Sequence, residues 1–189
     1  MDPNVWGPPL WDLLFVIAFR SSDTDKMVQL FGLMERVIPC QHCRRSYSVY
    51  MKQCRLSRIQ ADRPDSAAAW LWTMHDMVNQ KLGKIAINFD MIKKRHASLM
   101  PLSNDLLAID LFAMMAFVVK ETHLISFIST VAELLRPLPG FRFGVIWDAA
   151  SKDPLMERLY AAHLIASRDT GLSDQTIEAF RERLALGYA

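Results

Sequence analysis

Residues 38–45 read Ile38-Pro39-Cys40-Gln41-His42-Cys43-Arg44-Arg45 and hold two of the three cysteines in this 189-residue chain. A Cys-X-X-Cys pair is typical of a redox-active dithiol or of half a zinc site. Pro39 ends one helical pattern, and a second pattern resumes at Arg44. The sequence therefore predicts Cys40 at a helix N-terminus, where the positive end of the helix dipole favours the reactive thiolate.

The spacing of the pair allows attack, mixed-disulfide formation and resolution within one helical turn. We expect a reversible disulfide with Cys40 as the more exposed sulfur and Cys43 as the inner one. A zinc site would need Cys40, Cys43, Cys54 and a histidine, but no second Cys-X-X-Cys or His-X3–5-His pair follows. A thioredoxin-type domain would need a βαβ pattern of strands and helices, which this sequence lacks. Cys54 is expected to be an inert thiol, with a relay or an intermolecular bridge as the alternative.

The composition is 51% hydrophobic and 22% charged, which is enough apolar material for a packed core. A net charge of +2 without a dense Lys/Arg block argues against a nucleic-acid partner. No signal peptide is expected at the start. The longest apolar run, residues 106–119, is interrupted by Asp110, so no membrane span is expected. We expect a soluble, cytoplasmic protein, where a disulfide is more often catalytic than structural.

No sustained period-two alternation occurs, so the predicted fold class is all-α. The first helix is expected to begin at Pro8 and Pro9, and the fourth to run from Pro64-Asp65 to Gly83. We see no internal repeat. After residues 101–104 the sequence becomes richer in Leu, Ile, Phe and Met and poorer in charge. This change predicts a domain over 1–102 and a second, C-terminal helical domain over 103–189. The other predicted helices lie at 24–38, 44–52, 88–96, 106–119, 124–135, 154–167 and 174–186, with breaks at Pro137–Gly140 and Gly171.

The fourth predicted helix places His75, Val78, Asn79 and Leu82 at positions i, i+3, i+4 and i+7, on one continuous face. Such a face can be ordinary core with a satisfied histidine, or it can contact a ligand ring. Lys81 and Lys84 near the helix end could stabilise its C-terminus or hold phosphates. The residues alone leave both readings open.

The order of two motifs adds a resemblance. Trp70-X4-His75-X2-Val78-Asn79-X-Lys81-Leu82-Gly83-Lys84, following Pro39-Cys40-X2-Cys43-Arg44, resembles the Erv/ALR family of FAD-dependent sulfhydryl oxidases. Gly7-X3-Trp11 also matches the first helix of that family. The resemblance covers about residues 6–96, and two separated motifs in the correct order are more specific than either alone.

The resemblance implies a bundle of four or five helices that holds FAD beside the Cys-X-X-Cys disulfide. It implies a thiol oxidase that passes electrons from protein dithiols to FAD and then to O2, yielding H2O2. Cys40 would accept the substrate thiolate, and Cys43 would form the charge-transfer contact with the flavin. No metal site is implied. The implied flavin-binding residues are Trp11, His75, Val78, Asn79, Lys81 and Lys84, with the lysines at the pyrophosphate. Trp70 matches a family position but is nearly as well explained by core packing.

Several departures from the family pattern are visible. Phe15 and Asp76 replace a histidine and an asparagine, and both the family's cysteine pair after the Gly-Lys and its shuttle cysteines are absent. These features resemble the versions encoded by large cytoplasmic DNA viruses. That resemblance implies disulfide formation in virion proteins, in host cytoplasm and in the virion.

The family also implies a homodimer. Residues 103–189 match nothing recognisable and contain no cysteine, so no redox role is expected for them. Their apolar helices could be core, a surface that docks on the flavin domain, or a dimer face. The alternative hypothesis for the whole chain is a zinc-stabilised helical protein-interaction module without redox activity.

Overall fold

The computed structural model describes residues 2–97, 101–150, 154–168 and 176–186. Within these residues it contains ten α-helices, one short 3-10 helix at Leu56–Arg58 and no strand, so the all-α prediction is confirmed. The α-helices are α1 Pro3–Arg20, α2 Thr24–Val37, α3 Gln41–Gln53, α4 Ser66–Lys81, α5 Phe89–Ala97, α6 Pro101–Met115, α7 Glu121–Leu135, α8 Phe143–Ala149, α9 Leu155–Ser167 and α10 Ile177–Leu186.

Helix α1 begins five residues earlier than expected. Pro3 is its first residue, and the Asp2 side chain caps it by accepting a hydrogen bond from the Asn4 N–H at 2.8 Å. Pro8 and Pro9 therefore lie inside the helix rather than at its start. The prediction was wrong because burial of Trp6 stabilises a preceding turn, which outweighs the backbone hydrogen bonds that the two prolines cannot donate.

The junction of α2 and α3 follows the sequence closely. Asp23 caps α2 by accepting from the Lys26 N–H at 3.0 Å, and the helix ends at Val37, two residues before Pro39. Cys40 is the N-cap residue of α3, which confirms its predicted place at a helix N-terminus.

Helix α4 is closed by Gly83, as predicted. Gly83 has a φ of 65°, a conformation that glycine adopts without strain, and its N–H donates to the Gln80 carbonyl at 3.1 Å. Helix α5 begins at Phe89, within one residue of expectation.

The second half contains one helix that the sequence did not predict, the two-turn α8. It follows the break at Pro137–Gly140, where Gly140 has a φ of 83°. Helix α6 starts at Pro101, five residues before the predicted apolar run. The predicted break at Gly171 and the predicted start of the last helix at Asp174 lie outside the described residues.

The two halves pair their helices in the same order. In the first half, α1 packs on α4 and α5, α2 packs on α3, and α3 packs on α4. In the second half, α6 packs on α9 and α10, α7 packs on α8, and α8 packs on α9. The structure thus contains a repeated arrangement that sequence comparison of the halves did not reveal.

The halves meet through α1 on α6 and α2 on α7 and share one hydrophobic core. At the edge of this contact, Lys26 of α2 forms an ion pair with Glu133 of α7 at 2.9 Å. The Arg20 guanidinium lies 5.6 Å from the centroid of the Phe141 ring. Helices α6 and α7 of the second half therefore pack against α1 and α2 of the first half. The domain boundary between residues 102 and 103 stays a prediction.

Two helical glycines give opposite expectations for alanine. A Cβ at Gly144 would lie 2.7 Å from the Ala132 carbonyl oxygen of α7, whereas one at Gly32 would meet only Leu56 Cδ1, at 3.9 Å. Gly144→Ala should lower the free energy of unfolding by about 1–3 kcal/mol because the α7–α8 contact must open. Gly32→Ala should raise it by about 0.5–1 kcal/mol. Urea unfolding measures both, and shifts of the same sign would contradict the packing of α8 on α7.

Candidate functional site

A cavity of about 620 Å³ lies between α1, the start of α3, α4 and α5. That volume is within the range of small-molecule and cofactor sites. Aromatic and aliphatic side chains form most of its wall, including Trp6, Leu10 and Phe15 of α1 and Tyr47 of α3.

The disulfide forms part of this wall. Cys40 and Cys43 are bonded, with their Cα atoms 5.1 Å apart, and both side chains are half-buried. Cys43 lines the cavity, whereas Cys40 lies outside its lining. The Cys43 N–H donates to Cys40 Sγ at 3.2 Å, so the Cys40 sulfur also caps the helix. Cys43 therefore belongs to the cavity wall and Cys40 does not.

The residues that the resemblance assigns to flavin binding all line this same cavity. Trp11 of α1 and His75 of α4 contact each other in its wall, with ring centroids 4.6 Å apart and ring planes tilted by 53°. The structure thus brings together side chains that are separated by more than sixty positions in the sequence. The full set is Trp11, His75, Val78, Asn79, Lys81 and Lys84.

His75 is a partly buried histidine in the cavity wall. Its burial lowers the pKa of the imidazole, and the charge of Lys84 adds to that effect, while Asp76 and Asp12 oppose it. A neutral ring next to Trp11 offers an aromatic face and one N–H donor rather than a positive charge. The cavity wall therefore presents an indole ring and an imidazole ring whose neutral form is favoured by burial.

The positive charges lie at the rim. Lys81 and Lys84 are exposed, and Lys81 Nζ donates to Ser46 Oγ at 2.5 Å, which ties the end of α4 to α3. The cavity wall also holds an unused hydrogen-bond donor, since the buried Trp6 Nε1 has no hydrogen-bond partner among the described residues. A Cβ at Gly7, another lining residue, would meet nothing within 4 Å. An aromatic interior with cations at its rim fits a ligand that joins a ring system to phosphates.

Three residues of the site escaped the sequence analysis. His96 of α5 is buried, with Nε2 3.1 Å from Asp12 Oδ1 and Nδ1 2.8 Å from the Ile92 carbonyl oxygen. Arg95 donates to the other Asp12 oxygen at 2.9 Å. Burial alone would raise the pKa of Asp12, but the hydrogen bond to His96 and the Arg95 charge together lower it. This cluster joins α1 to α5 at the cavity wall.

The structure also shows the surroundings of Phe15 and Asp76, the two residues that depart from the family pattern. Phe15 is fully buried at the cavity, with its ring centroid 5.8 Å from that of His75 and 5.1 Å from that of His96. Asp76 accepts from Gln80 Nε2 at 2.6 Å through one oxygen, while its buried second oxygen has no partner among the described residues.

Trp70 and Cys54 lie in the core, away from the cavity. The Trp70 ring stacks on Phe31 with centroids 5.0 Å apart, and its Nε1 donates to the Cys54 carbonyl at 3.0 Å. Cys54 is a buried free thiol at the end of α3, with its Sγ 3.9 Å from Arg58 Nη1. These contacts assign Trp70 a packing role.

Two searches of the described residues were negative. They contain no group of three or more His, Cys, Asp or Glu side chains placed to hold a metal ion. None of the helices described is long and apolar enough to cross a membrane.

The site is thus a helical bundle with a disulfide in the wall of a cavity of cofactor size. The family model of the Erv1/Alr family matches residues 8–97, from α1 to the end of α5. The chain therefore contains an Erv1/Alr domain, of the FAD-linked sulfhydryl oxidase family, and the sequence resemblance is confirmed over this range. No curated protein and no solved structure gives a significant match.

Asp12→Asn should lower the free energy of unfolding by about 1 kcal/mol at neutral pH, because His96 and Arg95 lose a charged acceptor. The lowered pKa of Asp12 means that its contribution is complete above the unfolded-chain pKa and disappears as the pH falls through the folded value. Wild type and variant should therefore converge in acid, as measured by urea unfolding between about pH 3 and pH 7.

The matched control is Asp148→Asn, which removes an exposed ion pair with Arg136 and should cost less than about 0.5 kcal/mol. A deficit for Asp12→Asn that stays constant down to acid pH would contradict the role given to its charge.

Proposed function

We propose that this protein is a thiol oxidase that transfers electrons from protein dithiols through Cys40–Cys43 to FAD and then to O2, yielding H2O2. The net reaction converts one dithiol and one O2 into one disulfide and one H2O2. The observation that carries the proposal is the position of Cys43. It lies in the wall of the cavity that is also lined by every residue assigned to flavin binding.

Different residues of the cavity would bind different parts of FAD. Trp11 and His75 would pack on a ring system, with Val78 and Asn79 beside them on α4. Lys81 and Lys84 would meet the pyrophosphate at the rim. When bound, FAD supplies a two-electron acceptor that O2 can reoxidise.

The protein's own chemistry is a pair of thiol–disulfide exchanges. A substrate thiolate attacks Cys40 Sγ, the bond between Cys40 and Cys43 breaks, and Cys43 leaves as a thiolate. The second substrate thiolate then attacks the substrate sulfur of the mixed disulfide, which releases the substrate disulfide and the Cys40 thiolate. Cys43 is a favourable leaving group because it lies in the first turn of α3, where the helix dipole stabilises negative charge.

The biological setting is also part of the proposal. The resemblance to enzymes of large cytoplasmic DNA viruses supports virion proteins as dithiol substrates, in host cytoplasm and in the virion. A homodimer remains proposed from the family. It would use surfaces other than the faces of α1 and α2 that α6 and α7 cover in the same chain.

Cys43→Ser should keep FAD bound and abolish peroxide production, because the cavity is preserved while the sulfur that faces it is lost. Bound flavin is measured by visible absorption after gel filtration, and peroxide is measured with a dithiol substrate. Cys54→Ser, the control, changes a thiol that forms no disulfide and should keep most of the turnover. Full turnover by Cys43→Ser would refute the assignment.

Lys84→Ala should weaken FAD binding about fivefold, which corresponds to about 1 kcal/mol for an exposed charge contact. His75→Ala should weaken it more, because a buried ring contact is lost. Titration of FAD into apoprotein measures both, and Lys120→Ala at the start of α7 is the control with the same loss of charge. If the Lys84→Ala and Lys120→Ala proteins bind FAD with equal affinity, Lys84 does not contribute to FAD binding.

A further inference from the structure

The segment of the chain that contains the disulfide is rich in positive charge. Residues 36–61 contain no Asp or Glu, and the rest of the chain is net negative although the whole carries +2. The cations of this segment are Arg36, Arg44, Arg45, Lys52, Arg55 and Arg58. In the part of the chain that the structure describes, none of them takes part in an ion pair.

The exposed face of α3 organises part of this charge into a stripe. Arg45, Val49 and Lys52 are exposed at positions i, i+4 and i+7, and we call these three residues the α3 stripe. It extends about 10 Å along the helix axis. Exposed His42 lies between the stripe and the N-cap residue Cys40.

The remaining charges near α3 do not cancel the stripe. Glu35 of α2 accepts a hydrogen bond from Ser48 at 2.9 Å, on the side where α2 packs on α3. The Arg44 guanidinium donates to the Ile38 carbonyl at 2.6 Å and is half-buried at the helix start. Arg45 and Lys52 thus remain the exposed charges of the stripe.

We propose that the α3 stripe is the docking surface for the substrate protein, and that it selects substrates whose cysteine pair is flanked by Asp and Glu residues. The proposal rests on the proposed function, since Cys40, the N-cap residue of the helix that carries the stripe, is the sulfur that a substrate thiolate would attack. Charge complementarity identifies the occupant as an acidic polypeptide segment.

A protein segment fits this surface better than a nucleic acid. The stripe combines two cations with an apolar side chain, Val49, which is 49% exposed. It also lies on the helix whose N-terminus carries the disulfide, and a disulfide reacts with thiols rather than with a phosphate backbone. The net negative remainder of the chain would repel an extended polyanion, whereas a short acidic segment contacts α3 alone.

The test uses the Cys43→Ser protein loaded with FAD, in which Cys40 is a free thiol. Single-cysteine peptides are supplied as mixed disulfides with thionitrobenzoate and differ only in having acidic, neutral or lysine flanks. The Cys40 thiolate attacks the peptide sulfur, and thionitrobenzoate leaves as a coloured thiolate. The reaction joins the peptide to Cys40 and needs no electron transfer to FAD.

We expect the acidic peptide to react at least about fivefold faster than the neutral one at low salt, with the lysine peptide slowest. The spread should shrink as ionic strength rises, because exposed charges are screened. Adding Arg45→Glu and Lys52→Glu should reverse the order. Adding Lys120→Glu instead, a charge reversal at the start of α7, should leave the order unchanged.

Three other outcomes are decisive. Equal rates for the three peptides, together with full peroxide production by the wild type, would overturn the docking surface and leave the oxidase function standing. Ordered rates without any peroxide production would support the docking surface and overturn the oxidase function. Duplex DNA that blocks all three peptides equally, with no preference among them, would overturn the proposal in favour of a nucleic-acid surface.

Discussion

The site depends on how α2 ends and α3 begins. The Arg44 guanidinium donates to the Ile38 carbonyl at 2.6 Å, closing the turn between the two helices. One turn later, the buried Tyr47 hydroxyl donates to the Phe31 carbonyl at 2.8 Å, and burial raises the pKa of this phenol. These contacts anchor the first two turns of α3 to α2. They hold Cys43 in the cavity wall and so place the Cys40–Cys43 disulfide beside the cavity.

The second half supports that setting without sharing its chemistry. Its helices pair in the order seen in the first half, and α6 and α7 cover α1 and α2. At the start of α8, which packs on α7 as α3 packs on α2, stands Phe143 rather than a cysteine. Phe143 is fully buried, with ring centroids 5.5 Å from Phe112 and 6.4 Å from Trp147. The start of α8 is thus packed in aromatic core.

Local signals predicted the fold class and grouped His75, Val78, Asn79 and Leu82 on one face of α4, whereas the ligand-binding role of that face came from the family resemblance. They also placed Cys40 as a helix cap, because proline and helical periodicity act over a few residues. The contact of Asp12 with His96 spans 84 positions and has no local pattern, so only the structure could reveal it. The start of α1 was misplaced because burial of Trp6 outweighed the local signal of two prolines. The repeated helix pairing was hidden for a similar reason, since it lies in packing rather than in residue identity.

The most direct measurement of the central claim is the visible absorption spectrum of the purified protein during anaerobic addition of dithiothreitol. Cys43 lines the same cavity as the contacting rings of Trp11 and His75, so the account predicts a flavin band that bleaches when the disulfide is reduced. The band should return on admission of air, together with H2O2. A colourless protein that takes up no FAD, or a bound flavin that dithiothreitol leaves oxidised, would contradict the account.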